Sequence, residues 1–141
     1  MLKGIPPILS PELMKIMMEM GHGDEIVLAD GNYPAASHSY RIINGHGHGV
    51  ADFLEAILAF FPLDTYVTHP VILMNPVEGD EKSPVIWKSY EDIIKKSNHI
   101  PINIGKLERM DFYERSKAAY AIIATSERAQ YANLILKKGV L

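Results

Sequence analysis

Two residues within the stretch 21–34 have side chains that suit acid–base chemistry. His22 lies between two glycines, and histidine is the residue type that changes charge near neutral pH without help. Asp30 directly follows the predicted five-residue strand Glu25–Ala29, whose last four residues are apolar, and proteins commonly display reactive groups at such strand ends. An alternative interpretation is that Gly-His-Gly only ends a helix and that Asp30 only begins a turn. The pattern leaves both interpretations open.

A second group of polar residues lies near the C-terminus and comprises Arg109, Tyr131 and Asn133. Together with Asp30 they supply both donors and acceptors, which a polyhydroxylated ligand requires because each hydroxyl acts as both. A histidine with such neighbours, and with no nucleophile or metal beside it, fits proton transfer better than covalent catalysis. The alternatives are structural: Arg109 could form a surface ion pair with Glu108 or Asp111, and Tyr131 could be a packing residue.

Composition excludes several classes of protein. The 141 residues include no cysteine, which excludes disulfides, thiolate nucleophiles and cysteine-ligated metals. The formal net charge is −3 and no basic block is present, which argues against nucleic acid or an anionic membrane as the main partner. The phosphate-binding motifs GxGxxG and GxxxxGKS/T and the nucleophile elbow GxSxG are absent. The start resembles no signal peptide, so we expect a cytoplasmic soluble protein.

His46 and His48 form a His-x-His pair inside the glycine-rich stretch 44–49. Such a pair can bind zinc, but no acid or third histidine stands at a recognised spacing to complete the site. We therefore predict a mobile, glycine-rich loop with solvated histidines, and we keep metal binding as the alternative.

Local patterns predict the elements that must position these residues. A helix begins with Ser10 as its N-cap and Pro11 as its first residue, carries one apolar stripe and closes at Gly21. The run from Glu25 to Ala29 is typical of a strand buried on both faces. Other patterns predict helices from Val50 to a stop at Pro62, after the cap-and-proline pair Ser83–Pro84 and over 111–117, and strands over 40–43, 71–74, 100–104, 120–125 and 133–136.

Helices thus alternate with short buried strands along the whole chain. This order predicts an α/β fold with three layers, α/β/α, around a central and largely buried sheet. A polar loop is expected over 75–82, but no repeat or domain linker is visible. We therefore expect a single domain over residues 1–141.

The position of the first strand limits how the two acid–base residues can cooperate. His22 precedes this strand and Asp30 follows it. At roughly 3.3 Å per residue, an extended path between them would approach about 26 Å. Both residues can therefore contact one small molecule only if the chain doubles back or if a neighbouring subunit supplies part of the site.

Two end segments, SPELMKIMMEMGHGDEIVLADGNYPA and FYERSKAAYAIIATSERAQYANLILKKGV, resemble the sugar-mutarotase family of ribose pyranase and L-fucose mutarotase. The resemblance covers nearly the whole chain, although the GHGHG stretch departs from it. Within this family the chain is most similar to the fucose branch, on the segments SPEL, EMGHGDEI, VEGD and FYER.

The resemblance implies an enzyme that exchanges the anomers of a free sugar without a cofactor or a metal. It assigns His22 as the proton donor and Asp30 as a substrate-binding residue. Arg109 precedes FYER, where the ribose branch tends to have histidine, and therefore favours L-fucose as the substrate. The remaining sugar contacts are assigned to Tyr131 and Asn133, with Ala132 available only through its backbone.

The resemblance also implies a homo-oligomer, typically a decamer, with sites at subunit contacts. Three other functions remain open. The first is D-ribose pyranase activity of the same family, and the second is a sugar-binding protein without turnover. The third is a metalloenzyme built on His46 and His48.

Overall fold

The computed structural model describes residues 1–80 and 83–141. In these residues helices and strands follow in the order α1 (Pro11–Glu19), β1 (Glu25–Ala29), α2 (Ala35–His38), β2 (Ile42–Gly45), α3 (Val50–Leu58), β3 (Val71–Met74), α4 (Val85–Ser97), β4 (Ile104–Leu107), α5 (Arg109–Lys117), β5 (Ala121–Thr125) and β6 (Leu134–Lys137), so they alternate as far as β5. The predicted polar loop over 75–82 ends on Glu81 and Lys82, which lie outside the described residues. None of the described helices is long and apolar enough to cross a membrane.

The strands form one mixed sheet in the order β2-β5-β1-β6-β3-β4. β1 pairs in parallel with β5 and antiparallel with β6, and β6 is the strand that runs against the others. Parallel neighbours need crossover connections, which are usually helices that pack on the faces of the sheet. The structure confirms the predicted α/β fold with a central sheet between helical layers.

β1 shows how an uninterrupted apolar run produces a strand that is buried on both faces. Ile26 and Leu28 belong to the core that α1, α3 and α4 cover, whereas Val27 and Ala29 belong to the core beneath α2 and α5. All four are fully inaccessible to solvent. Because burying one aliphatic side chain of this size contributes about 1.5–3 kcal/mol, β1 is a rigid support for the polar residues at its two ends.

Several predicted boundaries are confirmed. β1 and β3 occupy the predicted residues, because their Ile-Val-Leu-type runs are buried throughout. α1 begins as expected, with Pro11 as its first residue and with the Ser10 hydroxyl accepting a hydrogen bond of 3.1 Å from the Leu13 N–H. It ends at Glu19, so Met20 rather than Gly21 is the C-cap.

Other predicted boundaries are wrong. The strand expected over 100–104 lies at Ile104–Leu107, because Pro101 has no N–H to pair and Ile100 stays exposed. α4 uses Pro84 rather than Ser83 at its N-cap position. β2 continues through Asn44 and Gly45, so the glycine-rich loop begins later than predicted.

The lengths of two helices were also not predicted. α3 ends at Leu58, before Pro62, so the proline lies in the following loop and does not itself stop the helix. The single-turn helix α2 (Ala35–His38) has no apolar period because it is only four residues long, and the sequence analysis missed it.

The sheet has two edges at which the strands begin and end, and these two edges carry different polar residues. The carboxyl ends of β1, β3 and β4 meet the amino end of β6 at one edge, where Asp30, Arg109 and Asn133 lie. The amino end of β1 lies at the opposite edge, next to the carboxyl end of β6, and His22 precedes it there. The five residues of β1 separate the two edges by roughly 16 Å.

Candidate functional site

A cavity of about 190 Å³ opens at the edge formed by the carboxyl ends of β1, β3 and β4. Open α/β sheets bind ligands preferentially at this edge. The cavity is smaller than the ~300–1,000 Å³ sites that hold drug-sized molecules, so its ligand must be small. Its lining includes four of the residues predicted to bind substrate, Asp30, Arg109, Tyr131 and Asn133, together with Asn32, Tyr33, Met74, Asp80, Tyr113 and Gln130.

Asp30 and Asn133 form the rigid floor of this cavity. The Asp30 N–H donates to Oδ1 of Asn133 at 2.7 Å, and Nδ2 of Asn133 donates to Oδ2 of Asp30 at 2.9 Å. Oδ1 of Asp30 accepts the Asn32 N–H at 3.0 Å. Both side chains are buried, with 8% of Asp30 and 4% of Asn133 exposed. A carboxylate has about four acceptor positions, more than these two N–H groups occupy, so Asp30 can still accept hydrogen bonds from ligand hydroxyls.

The environment of Asp30 favours its neutral form more than water does. Burial raises the pKa of the Asp30 carboxyl, and the hydrogen bonds from Asn32 and Asn133 offset part of that increase. A buried carboxyl with a shifted pKa inside a cavity is a candidate functional group. Because burial disfavours further negative charge beside Asp30, the cavity suits a neutral ligand.

Tyr131 lies above this floor in an unusual backbone conformation. Its φ is 55°, in the left-handed region that residues other than glycine adopt rarely and often at functional sites. Two donors from α4 hold the segment in place, because the Trp87 indole donates to the Tyr131 carbonyl at 2.9 Å and the Tyr90 hydroxyl donates to the Ala132 carbonyl at 2.8 Å. Ala132 is fully buried and is not part of the cavity lining, so its role here is to fix its two neighbours.

Arg109 is the first residue of α5 and its side chain is exposed at the mouth of the cavity. The ion pair with Glu108 or Asp111 considered from the sequence is not among the salt bridges of the described residues. Its charge acts on the Tyr131 hydroxyl across the cavity. A guanidinium is always charged and carries five donors, so Arg109 can hold an oxygen of a ligand from this side.

Sequence reasoning missed several residues of the lining. Tyr33 follows Asp30 in the same loop and donates to the Ser116 hydroxyl at 2.5 Å. Burial raises the pKa of Tyr33 to about 12, so this hydroxyl remains protonated at neutral pH. Tyr113 packs edge-on against Tyr33 at 5.5 Å between ring centroids, and the two rings form an aromatic wall. The position of Tyr113 could have indicated its role, because it lies four residues after Arg109 in α5 and therefore on the same face of that helix.

His22 is not part of this cavity. It lies at the opposite edge of the sheet, and 46% of its side chain is exposed. Its Nε2 lies 3.2 Å from Oδ1 of Asp64, and the ring of Tyr66 lies 5.5 Å from its own. The chain therefore does not fold back to bring His22 and Asp30 into one pocket.

Asp64, which orients His22, is another residue that the sequence analysis missed. Only 3% of Asp64 is exposed, and its Oδ1 also accepts the Tyr66 N–H at 3.0 Å. The Tyr66 N–H, and next the contact with His22, hold the pKa of Asp64 below its ordinary value despite burial. An ionised Asp64 favours a proton on Nε2 of His22, which leaves Nδ1 as the ring nitrogen available to a ligand.

Gly139 packs against the backbone of the segment that carries Asp64, the partner of His22. An alanine Cβ there would lie 2.6 Å from the Leu63 carbonyl oxygen and 2.7 Å from the Asp64 Cα, both in the backbone. We expect Gly139→Ala to displace the segment that carries Asp64 and to destabilise the fold by about 1–3 kcal/mol. Thermal unfolding measures the loss, and the imidazole NMR signals of His22 report whether the contact with Asp64 is altered.

Gly21→Ala is the matched control for this prediction. Its Cβ would make an ordinary contact of 3.8 Å with Asp24, although it lies next to His22. Unfolding of Gly139→Ala at the same temperature as Gly21→Ala would contradict the proposed clash.

Two further features, a groove near the N-terminus and the His46–His48 pair, lack a suitable set of groups. A larger groove of about 760 Å³ is formed by residues near the N-terminus, but its lining is mostly apolar and suits no sugar. His46 and His48 lie in the loop before α3, and the described residues contain no group of three His, Cys, Asp or Glu side chains that could hold a metal ion.

Comparisons with known proteins agree with this geometry. The family described as "RbsD / FucU transport protein family" matches residues 3–141. The chain is similar to the fucose mutarotase of Streptococcus pneumoniae solved in complex with L-fucose, with a TM-score of 0.95 and 51% identity over 99% of both chains. It is 48% identical to the L-fucose mutarotase of Actinobacillus pleuropneumoniae over 140 residues, which cover 99% of this chain and 97% of the relative. Its similarity to Bacillus subtilis RbsD complexed with D-ribose is lower, with a TM-score of 0.78 and 26% identity over 100% of this chain and 99% of that chain.

Proposed function

Because the chain belongs to the RbsD / FucU transport protein family, we propose that it is an L-fucose mutarotase, an isomerase that interconverts the α and β anomers of free L-fucose. The observation that carries this proposal is the cavity in which Asp30, Arg109, Tyr131 and Asn133 meet. These side chains provide the donors and acceptors that sugar hydroxyls need, on a scaffold similar to that of relatives bearing this name.

The reaction requires two proton transfers. Opening the pyranose needs a proton delivered to the ring oxygen and a proton removed from the anomeric hydroxyl. The ring oxygen becomes a hydroxyl and C1 becomes an aldehyde, and closure on the other face of the aldehyde gives the other anomer. Positioned acid–base groups accelerate such steps by about a hundred- to ten-thousand-fold.

We assign His22 as the donor of the proton to the ring oxygen. We assign Tyr131 as the group that removes the proton from the anomeric hydroxyl. As the donor, His22 is the imidazolium: it keeps one proton on Nε2 toward Asp64 and presents its Nδ1 proton to the sugar. Among the titratable side chains of the cavity lining we choose Tyr131, because its hydroxyl contacts a carboxylate oxygen, Oδ2 of Asp80, at 2.5 Å. Asp30 orients the sugar by accepting hydrogen bonds from its hydroxyls.

His22 and the cavity belong to one active site only if two subunits share it. The two lie at opposite edges of the same sheet, separated by the length of β1. We therefore propose that His22 of one subunit closes the cavity of its neighbour in a homo-oligomer, with the decamer implied by the family resemblance as the expected assembly. Contacts that repeat head to tail in this way generate a closed ring when the rotation between neighbouring subunits closes. A cytoplasmic location also stays a prediction.

D-ribose is the alternative substrate, favoured by the similarity to Bacillus subtilis RbsD complexed with D-ribose. Arg109 argues for L-fucose, because the ribose branch tends to have histidine at this position. Saturation-transfer NMR with L-fucose, D-ribose and D-galactose decides between them. We expect exchange of the L-fucose anomers to be the fastest of the three. Binding of L-fucose without exchange would instead identify a non-catalytic sugar-binding protein.

Treatment with an excess of EDTA, followed by its removal, is expected to leave the exchange rate unchanged. The reason is that the proposed chemistry uses only protonated and hydrogen-bonding side chains, and among the described residues no complete set of metal ligands is present. Exchange rates before and after treatment, with metal analysis of the same sample, test this. Loss of activity that zinc restores would assign the chemistry to His46 and His48.

A further inference from the structure

Tyr131 is bound on the outer side of the cavity by the loop that follows β3. Its hydroxyl donates to Oδ2 of Asp80 at 2.5 Å and accepts the Val77 N–H at 3.3 Å. The start of the same loop is held by Asn75, whose side chain donates to Glu108 at 2.8 Å and whose N–H donates to the Leu107 carbonyl at 2.8 Å. Asp80 itself lines the cavity beside Tyr131.

These contacts limit what Tyr131 can do toward a sugar. A phenol has one proton to donate and two lone pairs to accept with. Here the Tyr131 hydroxyl donates its proton in a hydrogen bond to Asp80 and accepts the Val77 N–H with one lone pair, so one lone pair is left for a ligand. Tyr131 can therefore accept a proton from a sugar hydroxyl only if it passes its own proton to Asp80.

A free tyrosinate is disfavoured in this position. The hydrogen bond to Asp80 raises the pKa of Tyr131, and the nearby charge of Arg109 opposes that increase. Tyr131 therefore remains a neutral phenol at neutral pH, and a neutral phenol is a poor base unless a second group accepts its proton in the same step.

We propose that Asp80 is a positioning residue for the proton-transfer step, which holds the Tyr131 hydroxyl with its lone pair toward the sugar and receives the Tyr131 proton as the ring opens. This inference rests on the proposed mutarotase function and adds a residue to its site. In the opening step the anomeric O–H bond breaks and its proton moves to Oη of Tyr131. The original Tyr131 proton moves to Oδ2 of Asp80. At the same time the imidazolium of His22 of the neighbouring subunit gives its Nδ1 proton to the ring oxygen, the bond between C1 and the ring oxygen breaks, and C1 becomes the aldehyde carbon. Closure on the other face reverses each transfer and restores all three groups.

A purely structural role for Asp80 is the competing explanation. In that case the carboxylate only ties the loop to Tyr131, and any group that accepts the Tyr131 hydrogen bond would serve equally. Asp80→Asn separates the two explanations, because the Asn side-chain oxygen can accept the hydrogen bond but cannot take up the proton. Asp80 is exposed, so this substitution leaves the buried core intact.

The test measures the L-fucose exchange rate of the assembled protein against sugar concentration by saturation-transfer NMR. We expect Asp80→Asn to lower kcat by about a hundred-fold or more, with KM within about two-fold of the wild-type value. Asp80→Glu, which keeps the carboxylate, should recover part of kcat. The matched control is Glu78→Gln, which removes a carboxylate from the same exposed loop outside the cavity lining and should exchange at the wild-type rate.

A double variant adds an independent check. If Tyr131 and Asp80 act as one unit, Tyr131→Phe combined with Asp80→Asn should be no slower than Tyr131→Phe alone. Multiplication of the two losses would overturn the proposal, as would an Asp80→Asn variant that keeps its wild-type kcat or that changes only KM. Failure of the wild-type protein to exchange L-fucose would instead refute the proposed function, so the two failures are distinguishable.

Discussion

His22→Ala is expected to abolish enzyme-catalysed exchange of the L-fucose anomers, a loss of about a hundred- to ten-thousand-fold, while the fold and the assembly remain intact. The expected loss is this large because the proposed mechanism assigns the proton for the ring oxygen to His22 alone, whose imidazole lies 3.2 Å from the Asp64 carboxylate that orients it. The fold should survive because nearly half of the His22 side chain is exposed and contributes little to the core. Saturation-transfer NMR measures the rate, and circular dichroism with size-exclusion chromatography checks structure and assembly.

His99→Ala is the matched control for this variant. His99 is also exposed, but it lies after α4 and contacts neither Asp64 nor the cavity that Asp30 lines. It should exchange L-fucose at the wild-type rate. An exchange rate of His22→Ala equal to that of His99→Ala would remove His22 from the mechanism.

The contribution of Asp64 to this chemistry depends on pH in a defined direction. Its pKa in the folded protein is lower than the ordinary value, so the ionised form is stabilised by folding. For a carboxylate whose pKa is lowered, the stabilisation is present at neutral pH and is lost as the pH falls through the lowered pKa. Asp64 therefore stays ionised at physiological pH, where it can hold the proton of His22 on Nε2.

The sequence predicted those parts of the fold that local chemistry determines. The apolar run of β1 can only be satisfied by a strand with both faces covered, and Ser10 followed by Pro11 stabilises a helix start in almost any context. β4 was misplaced because its residues Gly105 and Lys106 carry no strand signal. Glycine is required at position 105 because a Cβ would lie 2.8 Å from the His69 ring, a contact that depends on the tertiary structure.

The candidate site was predictable to a similar extent. The sequence identified polar and charged residues that follow recognisable segments. The structure brings four of them, Asp30, Arg109, Tyr131 and Asn133, into one cavity. Asp64 was missed because its partner His22 is 42 residues away in the sequence and the contact arises only when β6 brings their two loops together. Asp80 was identified only as part of the VEGD segment. The sequence of this polar loop does not show that Asp80 contacts a tyrosine 51 residues further along the chain.

The separation of His22 from Asp30 leads to a prediction about assembly. His22→Ala and Asp30→Ala subunits should each be inactive alone, since each lacks one of the two groups. After dissociation and reassembly as a mixture, some contacts will pair an intact His22 of one variant with an intact cavity of the other. At equal proportions and random mixing, about one quarter of head-to-tail contacts should be complete, so about a quarter of the wild-type exchange rate should return.

The outcome depends only on which chain contributes each group. If His22 reached the cavity of its own chain, every site in the mixture would keep one defect and no activity would return, whatever the proportions. Mixed oligomers must first be demonstrated, for example by mass spectrometry of subunits that carry different isotopes. Tyr131→Phe in place of Asp30→Ala provides a second test, because Tyr131 lines the same cavity as Asp30 and must complement His22→Ala in the same way. Absence of recovery in both mixtures would refute a shared site, whereas recovery with both would place the cavity on one subunit and the proton donor on its neighbour.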